Sequence, residues 1–341
     1  MTTATVSAAY LQELLDFSVS RGAERHQLLE IADIGQDNLD DPDGRLPMNN
    51  YILLMRAAKK LCADPALPLH LGSAQDFHKI SVVGLLCYAA VDMAEACRNL
   101  NHYGRLVAEF DLPVKDQRFQ LVPCEQGIWF IDTRNDPNSF PEMTEETWSR
   151  FIAENRRHFP DIPYCKAVHV THAEPGHAEE YQDIMGAPVI FNSDKNALLI
   201  DSGWPDVKLH QPNSYAFGVL SEHADRLLRQ LEDSKTVRGN VEALLIPRLH
   251  KGDTSMGSIA AKMGLSRQTL YRKLKAEGIC YESLFDQLRH QMALNYLKGK
   301  RTSVYETAYL LGFSEPSAFH RAFKRWTGKT PGDLIDQEGA V

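Results

Sequence analysis

The sequence predicts an α+β N-terminal domain followed by an all-α C-terminal domain, in which two helix-turn-helix units are joined by a long helix. Three observations predict it. Apolar residues recur at spacings of three and four through most of the first 106 residues, then fall into short alternating or continuous runs as far as residue 201. From residue 237 onward every segment reads as helix, broken only at single glycines. The charge also changes sign along the chain. Residues 1–234 hold 20 Lys/Arg against 35 Asp/Glu, a net of −15, whereas residues 235–341 hold 17 against 10, a net of +7.

The length of 341 residues suits two or three ordinary domains. With 43% hydrophobic and 24% charged residues, the composition is that of a globular chain and excludes wholesale disorder. The whole-chain charge of −8 would argue against a nucleic-acid binder, but the split removes that objection for the C-terminal third.

Taken in order, residues 8–20, 24–32, 48–61 and 92–106 are predicted helices, with Asp40-Asp41-Pro42-Asp43-Gly44 as a turn between the second and third. The runs RFQLVP and GIWFIDT alternate about Cys124-Glu125-Gln126 and predict an antiparallel hairpin. Helix returns over 142–159, with Trp148, Phe151 and Ile152 on one side. Residues 167–171, 189–191 and 197–201 are short strands. The last helix of the first domain is expected over 221–231, and a linker begins at 232–234. The C-terminal helices are expected to break at Gly252, Gly264, Gly278, Gly299, Gly312 and Gly328.

Six cysteines lie singly, with no C-x-x-C pair and no zinc-finger spacing. Cys87 and Cys97 fall in an apolar helical stretch and read as reduced, buried thiols. The N-terminus lacks the basic and apolar regions of a signal peptide, and the longest apolar run, near 82–91, is far shorter than a membrane helix. A cytoplasmic protein is expected.

The C-terminal third repeats one pattern. Residues 258–266, SIAAKMGLS, precede RQTLYRKLKAEG, and residues 303–314, SVYETAYLLGFS, precede EPSAFHRAFKRWTG. Each copy has an alanine that permits close packing, a glycine for a turn of positive φ, an apolar plug, and a serine (Ser266, Ser314) placed to cap the next helix. The units span about 256–277 and 303–327, and a long amphipathic helix over 282–298 offers Leu284, Leu288, Met292 and Leu297 for packing. In the first outer helix Leu270 and Leu274 face the core, leaving Arg267, Gln268, Tyr271, Arg272 and Lys275 outward. In the second, Phe319, Ala322, Phe323 and Trp326 form the apolar stripe, leaving Ser317, His320, Arg321, Lys324 and Arg325. Such helices enter the major groove, where Arg and Gln match guanine and adenine edges and flanking cations neutralise phosphates.

These residues resemble the DNA-binding domain of the AraC/XylS transcription regulators over about 237–336, most tellingly in LGFSEPSAF (311–319) and FKRWTGKTP (323–331). The resemblance implies that the two outer helices occupy successive major grooves, about 34 Å apart. It assigns base reading to Gln268, Tyr271 and Arg272 in the first unit and to Pro316, Ser317, His320 and Arg321 in the second. Pro316 and Ser317 are poorly equipped for it, and Thr307 stands where an aliphatic residue is usual. The segments RLPMNNYILLMRAAKKLCADPALPLHLG, VVGLLCYAAVDMAEACRNLNHYGRLV and YQDIMGAPVIFNSDKNALLID resemble the arabinose-binding-type sensor domain of ornithine- and arginine-utilisation regulators. That label names no ligand.

A sensor pocket needs an apolar wall with a few placed polar groups. Candidates are Tyr88, Tyr103, Arg105, Trp129, Asp132, Trp148, Phe151 and His158, with Phe110, Phe130 and Arg150 nearby in the sequence. His169, His172 and His177 do not make a metal set, since 169 and 172 on a strand would point to opposite faces. No metal or cofactor is expected. The reading is therefore a ligand-responsive transcription activator whose residues 1–234 sense an effector and dimerise, while residues 235–341 bind DNA. The expected partners are double-stranded promoter DNA, a small-molecule effector of unknown identity, RNA polymerase and a second copy of the chain. The alternatives are a protein-interaction module or a regulator with a reactive-cysteine enzymatic domain. For the latter, Cys124 is a weak candidate because Glu125 beside it would raise a thiol pKa. No nucleophile elbow, P-loop or dinucleotide fingerprint is present, so no enzyme is expected.

Overall fold

Periodic segments become helices and short apolar runs become strands in a chain that divides into two units, Met1–Leu228 and Arg229–Val341. The computed structural model describes residues 4–162, 164–209, 213–297 and 302–338.

The first unit opens with β1 (Thr5–Ser7), α1 (Ala8–Ser20), α2 (Arg25–Ile31), β2 (Arg45–Pro47) and α3 (Met48–Leu61). Antiparallel pairing of β1 with β2 is not visible in the sequence, because three-residue strands are too short to show a period of two. Ser7 caps α1 by accepting from the Tyr10 amide at 3.3 Å. Next come α4 (Leu67–Ala74), α5 (Phe77–Ile80), α6 (Val82–Tyr88) and α7 (Met93–Tyr103), the last continued by a 3-10 turn to Leu106. Cys97 is buried, as expected, whereas Cys87 is half-buried. Burial pushes the Cys97 thiol up to about 12.

The remainder of this unit comprises β3 (Phe119–Cys124), β4 (Gly127–Asp132), α8 (Glu142–His158), β5 (Cys165–His169), α9 (Ala178–Met185), β6 (Val189–Ile190), β7 (Asn196–Ile200) and α10 (Ser214–Asp233). Five strands form one sheet in the order β3-β4-β7-β5-β6, antiparallel except for β5 with β6. Cys124 pairs with Gly127, so only Glu125 and Gln126 make the hairpin turn. The apolar side of α8 packs on this sheet, with Trp148 and Ile152 against Phe119, Phe130 and Leu198. On its other side α8 crosses α4 so closely that a Cβ at Gly72 would lie 2.3 Å from the Glu146 carbonyl oxygen. The crossing lays the chain that leaves α4 alongside the C-terminal half of α8. Helix α9 falls between two predicted strands where no helix was predicted, and α10 is longer than the 221–231 segment, continuing into the expected linker.

The second unit is helical throughout its described residues: α11 (Val237–Leu245), a 3-10 turn Ile246–Lys251, α12 (Met256–Lys262), α13 (Arg267–Ala276), α14 (Tyr281–Leu297), α15 (Val304–Leu310), α16 (Pro316–Thr327) and α17 (Pro331–Glu338). Breaks occur at the expected glycines; Gly299 and Lys298 lie outside the described residues. One lobe is built on Val241, Ile259, Leu270, Leu274 and Leu284. The other is built on Leu249, Leu297, Leu311, Phe319 and Phe323. Phe285 and Met292 of α14 pack against both, so the long helix is shared core rather than a tether.

Candidate nucleic-acid interface

The two helical corners are built from the same bonds, 48 residues apart. In the first, the Gly264 amide donates to the Ala261 carbonyl at 3.1 Å and the Leu265 amide to the Ala260 carbonyl at 2.8 Å. In the second, Gly312 donates to Tyr309 at 2.9 Å and Phe313 to Ala308 at 3.0 Å. Gly264 and Gly312 have φ of +66° and +73°, the left-handed conformation these corners need. Ala260 and Ala308 are buried, which lets the paired helices approach.

The corners differ in how the outer helix starts. Ser266 caps α13, its Oγ accepting from the Thr269 amide at 3.1 Å. The expected equivalent cap by Ser314 does not form. The second turn is one residue longer, so Glu315 occupies the cap position without a side-chain cap bond and Pro316 opens α16. Proline has no amide hydrogen to satisfy there, and the rigid ring pre-sets the first helical φ. Helix α15 has the fuller cap, a reciprocal pair in which the Ser303 amide donates to Glu306 Oε2 at 2.8 Å and Ser303 Oγ accepts from the Glu306 amide at 3.2 Å. Hydrogen bonds from Ser303 hold the Glu306 carboxyl below its ordinary pKa. Thr307, which stands where an aliphatic residue is usual, is fully buried with its hydroxyl 2.9 Å from that of Thr302. The departure from an aliphatic residue is therefore satisfied by a hydrogen bond.

Leu270 and Leu274 are buried beneath α13, and Phe319, Ala322 and Phe323 beneath α16. Arg267, Gln268, Tyr271, Arg272 and Lys275 are all exposed, as are Ser317, His320, Arg321, Lys324 and Arg325. Tyr271 leaves 48% of its surface open to solvent on the outer face of α13. Arg325 stands apart, pairing with Asp286 of α14 at 2.5 Å. Arg289 stacks on Phe285 and Phe313 at 4.1 and 4.5 Å and donates to the Gly312 carbonyl at 3.2 Å, tying α14 to the second corner.

Residues 22–209 match the family model described as the arabinose-binding domain of AraC transcription regulator, N-terminal, and residues 259–337 match a helix-turn-helix domain model. The chain belongs to the AraC family of transcription regulators.

Among curated relatives, this AraC-family chain is 27% identical to the ornithine utilization regulator of Pseudomonas aeruginosa, over 96% of its own length and 95% of the relative's. It is 32% identical to the transcriptional activator NphR of a Rhodococcus species, over 34% of its own length and 33% of that protein's. Among solved structures, the transcriptional regulator CdpR of Pseudomonas aeruginosa is 19% identical, with a TM-score of 0.39, covering 91% of this chain and 96% of that one. This is thus a helix-turn-helix transcription regulator with a ligand-binding-type N-terminal domain. Among the described residues, no helix is long and apolar enough to cross a membrane.

The eight sensor candidates of this AraC-family chain are not gathered into one wall. Trp148 and Phe151 belong to the aromatic core, 6.1 Å apart and packed with Phe119 and Phe130. Asp132 is buried between Arg118 at 3.0 Å and Arg134 at 2.8 Å. Burial by itself would raise its carboxyl pKa, but the two guanidinium groups outweigh burial and hold it below the ordinary value. Trp129 meets His169 edge-on at 4.8 Å, with Lys195 Nζ 4.9 Å from its ring. The Tyr103 hydroxyl donates to Asp225 at 2.9 Å, and burial with that carboxylate pushes its pKa up to about 12. Arg105 lies 3.6 Å from Asp116. Tyr88 and His158 are the pair of polar candidates brought together, the hydroxyl 2.7 Å from Nδ1.

The three histidines weighed for a metal do not converge: His169 bonds Ser193, whereas His172 and His177 join a buried network through Tyr181 and Glu145. Sequence reading missed this network and its neighbour, in which Glu146 accepts from the hydroxyls of Tyr10 and Tyr51 at 2.6 Å each. The available signal was the spacing of Glu142, Glu145 and Glu146, which puts three carboxylates near one side of a helix. Cys124 lies at the end of β3 beside the hairpin turn.

Proposed function

We propose that residues 1–234 bind a small effector and dimerise, and that residues 235–341 read promoter DNA with α13 and α16 in successive major grooves. The duplicated corner carries this reading. Two turns with matched hydrogen bonds each present an exposed polar and basic helix, and both are packed on α14. Arg272 and Arg321 read base edges, while Arg267, Lys275 and Lys324 contact phosphates. Gln268 and Tyr271 flank the first base reader, and Ser317 and His320 flank the second. Arg325, neutralised by Asp286, contributes less to the phosphate set.

The regulator acts in the cytoplasm as an activator that engages RNA polymerase; the activator NphR supports this direction. The effector shifts the chain toward its DNA-competent state through a difference in affinity for the two states. Alignment along 96% of the chain with an ornithine utilization regulator makes cationic amino acids the first ligands to test.

Fluorescence anisotropy with the full chain and the promoter regions flanking its gene tests the assignment. Arg272→Ala should cost about 1–3 kcal/mol on the target and relax sequence preference. Lys324→Ala should weaken target and random DNA alike and lower the salt slope by about one. Equal losses on target and random DNA for Arg272→Ala would move Arg272 to the backbone set. Absence of duplex binding at low salt would overturn the function.

A further inference from the structure

We propose that the N-terminal unit carries a divalent transition-metal site of the zinc class, formed by Asp76, His78, Glu154 and His158. Its residues come from two sequence pieces. Asp76-x-His78 surrounds the start of α5, and Glu154-x-x-x-His158 lies in the last turn and a half of α8. A spacing of four on a helix stacks two side chains on one face.

The close crossing at Gly72 sets the two pieces side by side, and polar bonds hold them there. Arg157 donates to the carbonyls of Ser73 at 3.2 Å and Gln75 at 3.1 Å. The Phe77 amide donates to Glu154 Oε1 at 3.0 Å, and Arg157 donates to the same oxygen at 2.9 Å. Glu154 Oε2 is thereby turned toward His158, 3.2 Å from its Nε2. One ligand atom each from Asp76, Glu154 and His158 lies within 4.8 Å of the others, and His78 Nδ1 touches Asp76 Oδ1. His78 Nδ1 is buried without a hydrogen bond of good geometry.

These separations suit a four-coordinate ion. Bonds of about 2.0–2.1 Å to nitrogen and oxygen imply ligand–ligand edges of about 3.3 Å in a tetrahedron. The Glu154–His158 edge already has about that length, and the other edges among Asp76, Glu154 and His158 need at most about 1.5 Å of closure. His78 would swing in from its contact with Asp76 as the fourth ligand, and the Tyr88 hydroxyl, 2.5 Å from His158 Nε2, would give way to the ion. Two imidazoles with two carboxylates match zinc better than magnesium or calcium, which favour all-oxygen shells. The Phe77 amide and Arg157 supply the outer hydrogen bonds that orient a ligating carboxylate. With neutral imidazoles, the two carboxylates and Arg157 leave one negative charge for the ion to offset. The four side chains retain 16–31% exposure, so an ion can enter from solvent. Bound metal would clip α5 to the end of α8.

The test uses the full chain, stripped with a chelator and titrated with Zn2+ in competition with a chromophoric chelator. One ion per chain is expected, and Co2+ should give the intense visible bands of a four-coordinate site. Asp76→Asn with Glu154→Gln keeps side-chain size and should weaken Zn2+ binding at least tenfold. His78→Ala with His158→Ala should weaken it at least a hundredfold while DNA affinity in the absence of metal is retained. Substoichiometric binding, or unchanged affinity in the Asp76→Asn, Glu154→Gln chain, would overturn the site and leave two histidine–carboxylate ion pairs in its place.

Discussion

Replacing Gly312 with alanine should be far more damaging than the same change at Gly264, although both glycines occupy the same place in their corners. Each has a positive φ, which an alanine adopts at a cost of about 1–2 kcal/mol. Around Gly264 nothing lies within 4 Å of the position a Cβ would take, so that cost stands alone. At Gly312 the Cβ would lie 2.1 Å from the Leu249 carbonyl oxygen and 3.0 Å from its carbon. Relief requires the 3-10 turn Ile246–Lys251 to move by about 1 Å, and Leu249 is buried in the second lobe with Phe319 and Phe323. Close-packed interiors resist such shifts, and overpacking adds about 1–3 kcal/mol. The total for Gly312→Ala is therefore about 2–5 kcal/mol. Native-state hydrogen exchange of the full chain, read by mass spectrometry on peptides spanning 246–251 and 304–327, should show protection lowered by a factor of roughly 30 or more. Gly264→Ala should lower protection of 256–276 by roughly tenfold. Equal effects at the two glycines would refute the steric account of the second corner.

Two further predictions follow from unequal partners. Ser266→Ala should destabilise α13 by about 0.5–2 kcal/mol through loss of its cap, whereas Ser314→Ala should leave α16 nearly unchanged; hydrogen exchange of the two helices separates them. Asp132→Asn should destabilise the first unit by about 3–5 kcal/mol, because Arg118 and Arg134 would lose the negative charge between them. The wild-type carboxyl is held below its unfolded pKa, so its contribution is complete above about pH 4 and is lost as pH falls through the folded value. Urea unfolding between pH 5 and pH 2.5 should show that loss in the wild type and not in Asp132→Asn.

The exposed faces of α13 and α16 were legible because they depend on residues close in the chain. A corner needs an alanine, a glycine and an apolar plug within six positions, and periodicity then tells which side chains of the next helix remain outside. The missed detail, Glu315 in place of Ser314 at the start of α16, came from a single extra residue in the turn. The sensor candidates were harder because aromatic residues such as Trp148 and Phe151 serve equally as core, and nothing local distinguishes the two roles.

Sequence by itself determined the family, the helical corners and the contrast between an acidic first part and a basic second part. These follow from short-range periodicity, turn chemistry and residue counts. Tertiary structure alone decided which polar groups meet. Tyr10 and Tyr51 reach Glu146 across 136 and 95 positions of sequence, and Asp76 comes beside Glu154 only because α4 crosses α8 at Gly72. A buried carboxylate chooses partners by distance through the folded core, and that distance is set by helix packing rather than by any pattern along the chain.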